Sequence, residues 1–197
     1  MPLGDRPPEP LDPSEVRALL AVCRDTGTLT AKRNLVMLTV MWRVGLRISE
    51  VLALRESDVN YGANTIRVLY GKGRKARTVG ADDGVMRAIR DWEAARRAAG
   101  IGPGPLFCRT WQQPGEPLSP AYVRRVMKQI AERAGVNHRV HPHGLRHSMA
   151  VDSVREGIPV PYISRQLGHS SVGTTQNYLV GLYPQETIDA YKSRAWT

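Results

Sequence analysis

Six residues spread along the chain could together do chemistry on a phosphodiester. Arg47 stands in Gly45-Leu46-Arg47-Ile48-Ser49-Glu50, at a helix start with Glu50 one turn on. Lys72 sits in the turn Gly71-Lys72-Gly73-Arg74-Lys75. His143 and Arg146 fall three apart in His143-Gly144-Leu145-Arg146-His147, and His169 follows in Leu167-Gly168-His169-Ser170. Tyr178 ends Thr174-Thr175-Gln176-Asn177-Tyr178, nine residues after His169. Two arginines, a lysine, two histidines and a tyrosine suit metal-free cleavage of a phosphodiester. Guanidinium groups grip non-bridging oxygens and neutralise charge on a pentacoordinate transition state. A tyrosine oxygen supplies the nucleophile, and its phosphoester keeps the bond energy.

Taken singly, each of these residues has a plainer reading. Arg47 alone is a surface helix residue, Lys72 a solvated turn lysine, and Tyr178 a half-buried packing residue. Tyr183 and Tyr191 are rival nucleophiles, but neither stands nine residues after His169. His143 and His147 would share a helix face, as a zinc pair does. The HExxH pattern, however, needs Glu where Gly144 stands, and Arg146 would repel a cation. Gly73 occupies the place where a phosphate-binding P-loop needs Ser or Thr. No metal and no cofactor is expected.

Charge narrows the partner. The 197 residues carry 28 Lys and Arg against 18 Asp and Glu, a formal charge of +10 and a pI near 10.1. Such an excess favours a polyanion, because each neutralised phosphate releases condensed counterions. Nucleic acid comes first and an acidic membrane surface second. With one Phe and dispersed Trp, no basic helix with a bulky apolar face is visible. The longest apolar run, from Leu35 to Trp42, falls far short of the ~20 residues of a membrane span. Cys23 and Cys108 form no CxxC pair, and no basic-then-apolar leader opens the sequence, so a reduced, cytoplasmic setting is expected.

The elements that must position these residues follow from periodicity. Residues 1–10 are proline-rich and read as a flexible arm. Asp12, Pro13 and Glu15 form a helix start with a capping box, and Val16, Leu19, Leu20 and Cys23 make its apolar stripe. A second helix, from about Ala31 to Val44, is apolar almost all round and reads as the core helix. Gly45 breaks it, and Arg47 to Leu54 reads as a short helix. Thr65–Tyr70 and Thr78-Val79 alternate as a hairpin around the Lys72 turn. Helical spacing returns from about Asp82, Leu106-Phe107-Cys108 reads as a short strand, and successive helices run from Ser119 to the end. The expected fold is mainly α with a small antiparallel β-sheet.

Read in order, GLRISE, GKGRKAR, HGLRH, LGHS and TTQNY resemble the boxes of the tyrosine recombinases, the phage integrases and Xer-type resolution enzymes. The resemblance runs from about Leu11 to Val180. It implies a catalytic domain over 11–197, without the separate helical domain that most members carry before it. It casts Arg47 and Arg146 as phosphate clamps and Lys72 as the general acid for the leaving 5′ oxygen. His143 would assist proton transfer, His169 would hydrogen-bond the scissile phosphate, and Tyr178 would form a 3′-phosphotyrosyl link. Glu50 would buttress the first arginine. Arg74, Lys75 and Arg77 on the hairpin are expected at the DNA. Arg124, Arg125 and Lys128 read either as a solvated face or as a helix against the major groove. The partner is double-stranded DNA, with no membrane. The segment with Ile188, Tyr191 and Trp196 reads either as a stripe folded back on its own core or, as the resemblance implies, as a helix docked on a neighbouring subunit in a tetramer. The implied function is site-specific recombination, for a mobile element or for resolution of replicon multimers. A type IB topoisomerase uses similar chemistry, but LGHS and the short hairpin fit recombinases better. A non-catalytic DNA-binding module would explain the charge and leave Tyr178 without a role.

Overall fold

The computed structural model describes residues 10–69, 76–169 and 192. Helix α1 spans Pro13–Asp25. Its start is the expected capping box: Asp12 Oδ1 accepts from the Ser14 N–H at 2.7 Å, and Glu15 Oε2 accepts from the Asp12 N–H at 2.9 Å. Helix α2 spans Leu29–Arg43, two residues earlier than periodicity suggested, because Thr28 caps it by accepting from the Ala31 N–H. This helix packs against α1, against α4 (Asp83–Ala98) and against α6 (Pro142–Arg155). Val36, Met37, Leu38, Val40 and Met41 are buried along it, which makes it the centre of the main core.

Two polar residues of α2 are buried as well. Arg33 donates to Asn34 Oδ1, to the Cys108 carbonyl at 3.0 Å and to the Tyr122 hydroxyl at 3.0 Å. It thereby ties α2 to the 106–108 segment and to α5 (Pro120–Arg133). A buried guanidinium needs several acceptors at once, and three separate segments supply them.

The expected hairpin is part of a three-stranded antiparallel sheet, ordered β1 (Val59–Asn60), β2 (Thr65–Val68), β3 (Arg77–Gly80). Ile66 pairs with Val79 and Arg67 with Thr78, so Ile66, Val68 and Val79 face the core. The first strand has two residues, too few for alternation to show in a sequence. Leu106, Phe107 and Cys108 are buried as expected but form no strand. Isolated bridges hold this stretch at Pro105 and Cys108, and its carbonyls take side-chain donors from α4. Trp92 Nε1 donates to Leu106 O at 2.7 Å, and Arg96 Nη1 donates to Pro105 O at 2.8 Å.

Helix α3 spans Ile48–Ala53 and packs against α2 and α5. Helix α6 is buried on nearly every side, from Gly144 to Val151, so it shares the centre of the molecule with α2. Helix α7, Val160–Leu167, closes over it through a separate small cluster of Met149, Ala150, Ile163 and Leu167. Near the N-terminus the Leu11 N–H donates to Ser148 Oγ at 2.8 Å, which pins the start of the fold onto α6. None of the described helices is long and apolar enough to cross a membrane. The arm before Pro10, the Lys72 turn and the helices expected after His169 lie outside the described residues.

Candidate active site

The site begins where α2 ends. Gly45 has φ +73°, a left-handed conformation that few other residues adopt without strain. A Cβ there would stand 2.8 Å from Leu167 Cδ2 and 3.0 Å from Met149 Sδ. The tight approach lets the Gly45 carbonyl accept from Arg146 Nη1. The chain then turns into α3, whose first turn is closed by Glu50: its Oε2 accepts from the Arg47 N–H at 2.8 Å. Glu50 Oε1 also accepts from Arg47 Nη1 at 3.0 Å. The GLRISE segment therefore presents one half-exposed arginine over one fully buried carboxylate.

Helix α6 brings the second arginine. His141 caps it, its Nδ1 accepting from the Gly144 N–H at 3.1 Å, and Pro142 occupies the first helical position. This start sets His143 at the surface and Arg146 one turn deeper, only 1% exposed. Arg146 Nη2 donates to the Leu167 carbonyl and Nη1 to Gly45, with Nη1 also 4.0 Å from Glu50 Oε2. Helix α7 ends at Gly168 in the left-handed conformation, and the His169 N–H donates back to Ser164 O at 3.1 Å. That cap delivers His169 beside the arginines.

A third arginine meets the same carboxylate. Arg77, the first residue of β3, donates from Nη1 to Glu50 Oε1 at 2.8 Å and from Nη2 to Oε2 at 3.0 Å. Burial works to raise the Glu50 pKa, but hydrogen bonds from Arg77 and the Arg47 backbone, with both positive charges, hold it below the ordinary carboxylate value. The histidines move the other way from protonation. Burial, then the charges of Arg146 and Arg47, push His169 down to about 4. Loss of hydration, then Arg146, lowers His143 as well. At neutral pH the site thus presents guanidinium charge and neutral imidazoles, a setting that receives an anion and still exchanges protons.

The fold brings together Arg47, Glu50, His143, Arg146 and His169, which stand far apart in sequence. Lys72, Arg74, Lys75 and Tyr178 lie outside the described residues. Arg124, Arg125 and Lys128 are exposed on α5, with Arg125 stacked 5.5 Å from the Tyr122 ring and Lys128 3.8 Å from Glu132. Arg77, expected at the DNA, turns its fork inward onto Glu50. The charge of a strand residue is visible in sequence, but the carboxylate it meets is not. Gln166 had no role in the sequence reading. Its side chain donates to Gly80 O at 2.8 Å and accepts from the Gly80 N–H at 3.1 Å, binding α7 to the edge strand β3. Among the described residues, no group of three or more His, Cys, Asp or Glu side chains could hold a metal ion.

Known proteins share this arrangement of elements. A tyrosine recombinase XerC of Rhodospirillum centenum is 36% identical over 180 residues, covering 90% of this chain and 52% of that protein. The chain spans about half to three-fifths of the length of the curated relatives it matches. A crystal structure of a XerA recombinase matches with a TM-score of 0.77 at 25% identity, over 94% of this chain and 68% of that one. A Tn1549 transposon integrase in complex with transposon right end DNA shares the fold at 18% identity, with a TM-score of 0.77 over 98% of this chain and 68% of that one. The phage integrase family model matches residues 9–183. That match encloses every element from α1 to α7, and with it each segment that meets at Glu50: the chain belongs to the phage integrase family, the tyrosine recombinases.

Proposed function

We propose that this chain cuts and rejoins strands of double-stranded DNA in site-specific recombination, through a covalent link to Tyr178. The observation that carries the reading is the convergence of three separate segments: Arg47 and Arg146 meet over one buried carboxylate, with His143 and His169 beside them. Arg47 and Arg146 hold the non-bridging oxygens of the scissile phosphate, where charge grows in the transition state. The Tyr178 oxygen attacks phosphorus and gives up its proton with help from His143. The bond to the 5′ oxygen breaks, and Lys72 protonates that oxygen. His169 hydrogen-bonds the phosphate. Rejoining runs the same steps backwards with the 5′ hydroxyl of a partner strand. Arg74, Lys75, Arg124, Arg125 and Lys128 contact the duplex. On paired sites the chain assembles as a tetramer through its C-terminal segment, and the recombination serves a mobile element or resolves replicon multimers. The right end DNA bound by the Tn1549 integrase agrees with a duplex partner.

A nicked suicide duplex tests the reading, because the cut fragment diffuses away and traps the adduct. The parent protein becomes covalently attached to DNA. Tyr178→Phe keeps the ring, deletes the attacking oxygen, binds the duplex normally and gives no adduct. An adduct that persists in Tyr178→Phe moves the nucleophile to Tyr183. A parent protein that binds DNA without ever attaching to it is a binding module.

A further inference from the structure

We propose that Arg77 is a positioning residue, which saturates Glu50 so that Arg47 and Arg146 remain available to a phosphate and which ties β3 to the end of α7, just before His169. The inference rests on the cleavage reading above and removes Arg77 from the DNA-contacting set.

Glu50 is the reason. Its side chain is fully buried, and its two oxygens take four hydrogen bonds: Arg47 Nη1 and Arg77 Nη1 on Oε1, the Arg47 N–H and Arg77 Nη2 on Oε2. Arg77 supplies two of the four. A buried carboxylate deprived of donors draws in the nearest cation. Here that is Arg146, whose Nη1 already lies 4.0 Å from Oε2, or more of the Arg47 guanidinium. Either movement takes an arginine away from the phosphate.

The rest of the Arg77 guanidinium is engaged too. Nε donates to Gln166 O at 3.3 Å, and the guanidinium lies against Gly168, where a Cβ would stand 2.8 Å from Cζ and Nε. With 16% of its side chain exposed, against 29% for Arg47, Arg77 offers no fork to a duplex. It connects three parts of the site instead: β3, α3 with Arg47, and the end of α7 with His169. The bidentate geometry is specific to arginine, since a lysine ammonium meets one oxygen at a time.

The test separates binding from the covalent step. Arg77→Met keeps the stem over Gly168 and deletes the fork, and Arg77→Lys keeps the charge without the fork. Binding to a random-sequence duplex is measured across a salt series, and adduct formation is measured at saturating protein on a nicked suicide duplex taken from the DNA flanking the gene. Both variants are expected to keep the parent's slope of log Kd against log salt and to lose about tenfold or more of the saturating adduct rate. Adding Glu50→Gln to Arg77→Met removes the stranded charge and restores the rate to that of Glu50→Gln alone. A slope reduced by about one, with the saturating rate unchanged, makes Arg77 a phosphate contact and overturns the proposal. Losses that simply multiply in the double variant overturn it as well. Should Arg77→Met fail to melt cooperatively, recovery of a cooperative transition in the double variant is the expected result, and its absence is contrary. If the parent forms no adduct, the cleavage reading fails on its own, while the salt slopes and the rescue of melting still decide the role of Arg77.

Discussion

The two arginines proposed to clamp the phosphate differ in what else they do. Arg146 is buried and donates to the carbonyls of Gly45 and Leu167, whereas Arg47 is partly exposed and its guanidinium pairs with Glu50. Arg47→Ala should therefore slow DNA cleavage by orders of magnitude with little change in melting temperature. Arg146→Ala should lose both, since each stranded carbonyl costs about 1–3 kcal/mol. Equal melting temperatures for the two variants would contradict this division. His169 carries the second prediction at this scale. Its folded pKa of about 4 lies below the ordinary 6.5, so the folded state binds its proton less readily than the unfolded chain. Its share of stability is complete above pH 6.5 and is lost as pH falls toward 4. Imidazole resonances in an NMR titration should place the midpoint near 4 in the free protein and higher on DNA, where a phosphate charge favours the imidazolium. A midpoint near 6.5 without DNA would show that neither burial nor the arginines act on it.

Among the elements, α7 has a small apolar hold on the rest, and its end sets where His169 stands. It is eight residues long, and its apolar anchorage is the four-residue cluster at Met149, Ala150, Ile163 and Leu167. Polar ties reinforce it: Gln166 spans to Gly80 and to the Val44 carbonyl, and Arg146 holds the Leu167 carbonyl. Leu167→Ala removes the side chain that fills the space above Gly45, a change of the kind that costs roughly 2–5 kcal/mol in a packed core. The expected outcome is faster hydrogen exchange over 160–167 and slower adduct formation, with α1 and α2 protected as before. Unchanged exchange in α7 would mean that the polar ties alone hold it.

At the scale of the whole molecule, charge governs encounter. An excess of ten positive charges on a domain of this size favours a polyanion, and under the proposed function it would bring the chain to DNA through phosphates, without needing to read bases. Affinity for a duplex should accordingly fall steeply between low and moderate salt, on specific and random sequences alike. A Kd that hardly moved across that range would mean that the binding energy comes from elsewhere. The pinning of Leu11 by Ser148 also matters here, because it fastens the entry of the chain to the helix that bears Arg146.

By itself the sequence determined what is local. The capping box at Asp12, the break at Gly45, the hairpin pattern around Ile66 and Val79, and the ordered set of chemical boxes each depend on neighbours a few residues apart, where residue type and spacing act directly. Tertiary structure decided what depends on contacts across the chain. Arg33 and Arg146 look like surface residues in sequence, because burial of a guanidinium becomes tolerable only when distant carbonyls and hydroxyls arrive to accept its hydrogen bonds. Leu106 to Cys108 has the composition of a strand but no partner strand, so side chains of α4 bond the Leu106 carbonyl and Arg33 of α2 bonds that of Cys108. Arg77 shows the difference most clearly: its position on a basic hairpin suggested DNA, and only folding placed a buried carboxylate within reach of its fork. A charge is written in the sequence, but what neutralises it is set by the packing that removes both groups from water.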